Sequence, residues 1–344
     1  MVLAYVTNID GGSISVIDTK THSVIATMSV GMNPQDVAFT PDGKIAYVTN
    51  SGGVTVSVID TKTHSVISSV QVGARPAFVE FTPDGKLAYV TGRGDTVVSV
   101  IDVKTHSVVA TVEVGDGPFY ISFTPDGKLA YVTNPSTVCV IDVKTHSVIA
   151  TINVEGTLQD TKLSPNGKLA YVTGSNGNDP STVSVIDVKT HSVIASISVG
   201  IMSFRVAFTP DGKLAYVTNI FDNTVSVIDV KTHSVIATIQ TGGLVFDVSV
   251  TPDGKFAYFS VISNNVTNAI CVIDTKTHII ISNIDTDVLS GTGLFINFTP
   301  DGKLAYLPNN NNPGTVTAID VKTHSIIASI PAGTNPFNLA FTPN

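Results

Sequence analysis

The sequence predicts an all-β fold made of eight copies of one four-stranded unit, and three observations carry that prediction. The string Ile-Asp-x-Lys-Thr-His occurs eight times, with its histidines at His22, His64, His106, His146, His191, His233, His278 and His324. An Ala-Tyr pair also recurs eight times, from Ala4-Tyr5 to Ala305-Tyr306. Val, Ile and Thr dominate the stretches between turns, and no stretch has the 3.6-residue apolar spacing of a surface helix. The period averages about 43 residues, so eight periods account for all 344.

Within one period the strands follow in order. Pro34 to Thr40 alternates Val37 and Phe39 against Asp36 and Ala38 and reads as the first strand. Pro41-Asp42-Gly43 turns the chain: Pro presets φ, Asp bonds the neighbouring backbone, and Gly accepts a positive φ. Lys44 to Thr49 is the second strand, Val54 to Asp60 the third and Ser65 to Val72 the fourth, with Asp-x-Lys-Thr-His turning between the last two. Such a sheet is apolar on both faces and needs neighbours on both sides. Stacking eight sheets around an axis meets that need, which predicts an eight-bladed β-propeller. Residues 1–344 are read as one propeller domain. Its first blade is a composite of residues 1–30 and 335–344, because the sequence opens on a second strand (Leu3 to Val6) and ends on a first strand (through Phe341). Blade 2 then begins at Pro34.

Tyr-Val-Thr-Asn stands intact at Tyr5 to Asn8, Tyr47 to Asn50, Tyr131 to Asn134 and Tyr216 to Asn219. With Thr-Pro-Asp-Gly-Lys before it and Val-Ser-Val-Ile-Asp after it, the chain resembles the YVTN β-propeller repeat family of archaeal surface layers and bacterial envelopes. The resemblance spans the whole chain and implies a surface-layer or cell-envelope setting. The motif is structural, so it names no activity.

Composition excludes several classes. Nineteen basic against 27 acidic side chains leave a net charge of −8, which argues against nucleic acid as a partner. No apolar run reaches the roughly 18 to 20 residues of a transmembrane helix, and no secretory leader opens the sequence. The expected setting is therefore extracellular or envelope if a leader has been removed, and cytoplasmic otherwise, with a monomer expected. Cys139 and Cys271 replace a repeated Ser three blades apart, which precludes a disulfide and reads as two small buried side chains.

Features common to all eight copies read as architecture; departures mark where function would lie. Eight histidines at eight separate outer turns cannot converge on one metal ion, so no metal site and no cofactor is expected. The lysines of the repeated turns are offset by the aspartates of the same turns. Outside these turns four basic side chains (Arg75, Arg93, Lys162, Arg205) face 13 acidic ones, which predicts an acidic, loop-rich rim. Long connections at Ser175 to Ser181, Val261 to Asn268, Asn309 to Gly314 and Asp285 to Thr292 belong to that rim. Asp285 and Asp287 are weak calcium candidates, and Arg93-Gly94-Asp95 matches an adhesion tripeptide.

The strongest departure lies in the innermost strand, at its third position. Around the ring that position holds Asn338, Asp36, Phe78, Tyr120, Asp160, Arg205, Asp247 and Phe295, with Lys162 two residues beyond Asp160. Three aspartates, an arginine and three aromatic rings replace what a structural column would repeat. Polar groups converging beside an aromatic arc in a channel mouth are the composition of a ligand-binding site; an ion-pair network that satisfies channel charges is the plainer account.

Two functions follow. The first is a non-enzymatic binding or surface-structural module whose acidic rim and channel mouth meet a protein or glycan partner. It is favoured by the resemblance and by the lack of a Gly-x-Ser-x-Gly elbow or a Cys-His pair. The alternative is an enzyme or small-ligand binder, hydrolase- or lactonase-like, using the mouth around Asp160, Arg205 and Asp247. Eight-bladed quinone-dependent dehydrogenases dock their blades with Trp, of which this chain has none. The haem d1 domain of nitrite reductases needs an axial His near the axis, and every His here is taken by an outer turn.

Overall fold

The computed structural model describes residues 1–262, 269–286, 295–310 and 312–343. Among them lie eight four-stranded antiparallel sheets and no helix. The first blade holds β1 (Leu3–Asn8), β2 (Ser13–Asp18) and β3 (Ser23–Ser29), and the second holds β4 (Pro34–Phe39), β5 (Ile45–Asn50), β6 (Thr55–Asp60) and β7 (Ser65–Gln71). The closing strand, Pro336–Phe341, pairs antiparallel with β1 and supplies the inner strand of blade 1, so the ring is shut. The eight-bladed propeller is thus the fold expected from the repeat.

The core is distributed between blades. Each apolar cluster joins two adjacent sheets: Tyr89, Val98 and Val100 of blade 3 pack on Ile121, Phe123 and Val132 of blade 4. At the seam, Tyr306, Val316 and Ile330 of blade 8 pack on Ala4, Val6 and Leu339 of blade 1. Neither face of a blade meets water over its middle strands, which is why those strands run apolar without alternation.

Every turn histidine adopts a left-handed backbone with φ between 50 and 57°, and its imidazole reaches the tyrosine of the preceding blade at the rim. His64 Nδ1 lies 2.7 Å from the Tyr5 hydroxyl, His106 Nδ1 2.9 Å from that of Tyr47, and His22 Nδ1 2.8 Å from that of Tyr306 across the seam. All eight Tyr–His pairs form. The repeated His and the repeated Tyr, 57 to 66 residues apart along most of the chain, are one device: a polar latch between consecutive blades.

Two expectations from the sequence change. Ser175 to Ser181 is less a loop than an extension of a hairpin, with strands running through Leu169–Asn176 and Asp179–Asp187. The Arg-Gly-Asp loop is exposed at Arg93 and Gly94, but its charged side chains are engaged locally. Its Asp95 carboxylate accepts the Ala74 N–H at 3.0 Å, and the Arg93 guanidinium lies over the Phe119 ring, 3.5 Å from the centroid. The connections at 263–268 and 287–294, with Asp287, lie outside the described residues.

Candidate functional site

The inner strands aim their third residue into the channel by breaking their own ladders. In β4 the pairing to β5 jumps between Pro34 and Val37, and the same register shift recurs in blades 1, 3, 5, 6 and 7. A bulge re-aims side chains and leaves a backbone N–H unpaired. The Thr of Tyr-Val-Thr-Asn takes up that donor: the N–H groups of Asp36, Arg205 and Asn338 donate to Thr49, Thr218 and Thr7 Oγ1, each at 3.0 Å. In blade 7 Ser260 does the same for Asp247.

All eight residues singled out at this position line one chamber, joined by Lys162, so the structure brings the sequence candidates together. They form a collar across the channel. On its loop-rich side is a mouth chamber of about 450 Å³, and on the other an inner chamber of about 390 Å³. Phe78, Tyr120, Arg205, Asp247 and Phe295 face both.

The aspartates have a structural task. One carboxylate oxygen of each accepts a backbone N–H from a following blade: Asp36 from Val79 at 3.0 Å, Asp160 from Val206 at 3.2 Å and Asp247 from Ile296 at 2.9 Å. Asn338 donates to the second oxygen of Asp36 at 2.8 Å. The second oxygens of Asp160 and Asp247 flank Arg205, at 3.9 Å from Nη1 and 4.0 Å from Nε. Those are Coulombic separations, longer than a hydrogen bond. Arg205 is 7% exposed, and its Nε has no hydrogen-bond partner. The guanidinium carbon sits 4.4 Å from the Tyr120 ring centroid and 4.9 Å from that of Phe295.

Electrostatics follow burial. Burial works against the charge on Arg205, but Tyr120, Asp160 and Asp247 outweigh it and hold the guanidinium above its ordinary range. Burial raises the Asp247 carboxyl, against the pull of Arg205, and raises the Tyr120 hydroxyl. Burial likewise pushes Asp36 up to about 6 against its backbone and Asn338 hydrogen bonds. Enclosure by the ring pushes Glu80 up to about 7, with Lys162 opposing and Asp36 adding.

Sequence reasoning missed half of the mouth chamber. Phe119, Phe204, Phe246 and Phe337 line it, each one residue before a collar position, together with Arg93, Met202 and Phe221. Strict alternation places that preceding position between blades, beside the column of Val37 and Val79; the bulge turns it to the channel instead. The rings touch in groups, with Tyr120 at 4.3 Å from both Phe78 and Phe119 and Phe295 at 5.4 Å from Phe337. The wall of the mouth is largely aromatic and carries two arginines and Asp247, while Asp36 and Glu80 line the inner chamber.

The fold is similar to that of a dihydro-heme d1 dehydrogenase, NirN, in complex with DHE, at a TM-score of 0.82 and 19% identity over 98% of this chain and 74% of that one. Hydrazine synthase of Kuenenia stuttgartiensis matches at 0.65 and 25% identity, over 79% and 92% of the two chains. A functionally unknown protein from Desulfotomaculum acetoxidans matches at 0.68 and 16% identity, over 99% of each. No curated protein matches in sequence. The family model described as the cytochrome D1 heme domain matches residues 46–165 and 135–250. That match overturns the first functional reading, a non-enzymatic surface-structural module, and favours the alternative built on the channel mouth. The matched segments together run from residue 46 to 250, more than half of the sequence, and the chain belongs to the cytochrome D1 heme domain family.

Proposed function

We propose that the chain is a small-ligand-binding propeller whose mouth chamber holds a flat, conjugated molecule bearing carboxylates, of the tetrapyrrole class. Arg205 carries this reading. A buried donor with no acceptor costs about 1–3 kcal/mol, and the two carboxylates beside Arg205 stand too far off to satisfy it. A ligand carboxylate reaching the collar supplies the missing acceptor. Arg93, stacked on Phe119 at the wall, is the second cation for an acidic periphery. Phe78, Phe204, Phe246 and Phe337 offer ring faces and edges to a planar body. Asp160 and Asp247, pinned by backbone N–H groups, hold the guanidinium in place between them.

The residues fit the organic frame of such a ligand and do not fit imidazole-ligated iron. Haem iron is held by His, Cys, Met or Tyr. All eight imidazoles are engaged with tyrosines at the rim, and Cys139 and Cys271 are buried in third strands. Of the donors at the mouth, burial keeps the Tyr120 hydroxyl protonated, which leaves the Met202 thioether. We therefore place the ligand's flat acidic body in this chamber. The likeness to YVTN propellers we take as bearing on the scaffold.

The test is a titration of the full chain with protoporphyrin IX and with hemin, followed by absorbance and by quenching of tyrosine fluorescence. Saturable binding is expected, weakened about tenfold or more by Arg93→Met and Phe204→Leu, a loss of about 1.4 kcal/mol. Arg205→Lys should weaken it further while keeping the charge between Asp160 and Asp247. Absence of saturable binding, or binding that all three variants leave unchanged, rejects the reading.

A further inference from the structure

We propose that the inner chamber is a second binding site, for a small zwitterion that carries an ammonium and a carboxylate. The inference stands independently of the ligand in the mouth.

Two residues beyond each collar position lies a further ring, and most of it is small: Ala38, Ala207, Ser249 and Ala340 all line the chamber. Two charged residues break that pattern, besides the neutral Asn297 of blade 8. Glu80 stands there in blade 3 and Lys162 in blade 5, both facing the cavity. Among the described residues neither side chain makes a hydrogen bond or an ion pair, with the other or with any neighbour. Five of the eight copies put Ala or Ser at this position, so packing gives no reason for an unpaired carboxylate and an unpaired ammonium there. Both side chains are exposed to the channel, which leaves an acid and a base open to a ligand within one cavity.

The remaining charges around the chamber are committed. Asp160 and Asp247 flank Arg205, and Asp36 accepts from Val79 and Asn338. That leaves one free acid on the wall of blade 3, backed by Asp36 of blade 2, and one free base on the wall of blade 5, two blades away. A ligand spanning the cavity matches both when its ammonium meets Glu80 and its carboxylate meets Lys162. A volume of about 390 Å³ is in the range of small-molecule sites. Ligands with a single charge satisfy one wall and leave the other as it was.

Isothermal titration of the full chain with glycine, γ-aminobutyrate and ε-aminocaproate tests the site, with butylamine and butyrate as single-charge controls. At least one zwitterion should bind about tenfold or more tighter than both controls. Glu80→Gln and Lys162→Met, which keep size and leave the collar intact, should each reduce that preference to the level of the controls. Protoporphyrin binding at the mouth should be the same in both variants, which separates a failure here from a failure of the mouth assignment. Equal binding of zwitterions and controls, no binding of any of them, or a preference that survives both substitutions overturns the proposal.

Discussion

At the scale of single residues, position in the ring decides how a side chain ionises. Asp60 and Asp102, in two of the repeated turns, titrate below their ordinary range because local N–H and hydroxyl groups bond their anions, as Thr63 does for Asp60. Glu80 is the opposite case: no donor serves its anion, and enclosure lifts it to about 7, with Lys162 opposing and Asp36 adding. In the unfolded chain Glu80 ionises in its ordinary range near 4.3. The native state therefore holds this proton through a window in which the unfolded state has lost it. The resulting stability is full below the ordinary value and is lost as pH rises through about 7. Thermal melts of the wild type and Glu80→Gln at about pH 5 and about pH 8 isolate this group, since histidines and other carboxylates titrate in both proteins. The wild type should lose ground to the variant at the higher pH. A difference that does not move with pH means that Glu80 titrates as it would in water. The same residue shows what was legible beforehand. Collar residues stood out because eight copies gave a baseline from which Asp, Arg and Tyr depart. Glu80 stayed unremarked because its significance lies in which side chains face it across the channel, and no spacing along the chain encodes that.

At the scale of the element, the four letters of Tyr-Val-Thr-Asn resolve into four separate tasks. Val fills the space between blades. Thr takes the N–H that the inner-strand bulge frees and donates its own proton to a carbonyl of the next blade, as Thr49 does to Ala77 O at 3.0 Å. Asn bridges outward and across: Asn50 donates to Ser57 Oγ at 3.0 Å and accepts the Gly31 N–H at 3.0 Å. Tyr carries the latch. In Tyr47→Phe the ring keeps its contact with Phe81, at a centroid distance of 5.0 Å, and only the bond to His106 is lost. The expected cost is about 1 kcal/mol, measured by urea unfolding. A loss below about 0.3 kcal/mol would mean that water serves the half-buried imidazole equally well. Strands and turns were readable because alternation and Pro-Asp-Gly chemistry act within a few residues. Pairing of Tyr with His was not, although both repeat eight times, because a latch between blades joins residues about one and a half periods apart. The four phenylalanines of the mouth were hidden for a related reason: a bulge cancels the alternation on which the reading of their faces relied.

At the scale of the whole molecule, every ring of contacts has to cross the seam between blades 8, 1 and 2. The closing strand pairs with β1 from Ala4 opposite Phe341 to Asn8 opposite Pro336. Its flanks add the Leu3 N–H bond to Thr342 Oγ1 at 3.0 Å and the Gly333 N–H bond to Asn8 Oδ1 at 3.1 Å. In the channel, Asn338 completes the collar against Asp36, while at the opposite end Pro343 packs against Gly43, whose φ of 68° is one that side-chain-bearing residues rarely adopt. Seven of the eight inner strands lie within continuous chain, so this one alone joins the two ends of the sequence. An open repeat array loses one interface when cut, whereas a ring cut at its seam also exposes apolar faces on both sides. Ending the chain before Asn335 removes Leu339 from the cluster shared by blades 8 and 1, and Ala340 from the one shared by blades 1 and 2. The truncated protein should lose its single cooperative thermal transition and become sensitive to protease across blades 1 and 8. A synthetic peptide covering residues 334–344 should restore both properties when added in excess, by mass action on the vacant edge of β1. If the truncated chain melts as the full one does, closure contributes little to stability, and the blade interfaces hold the propeller without a fastened seam.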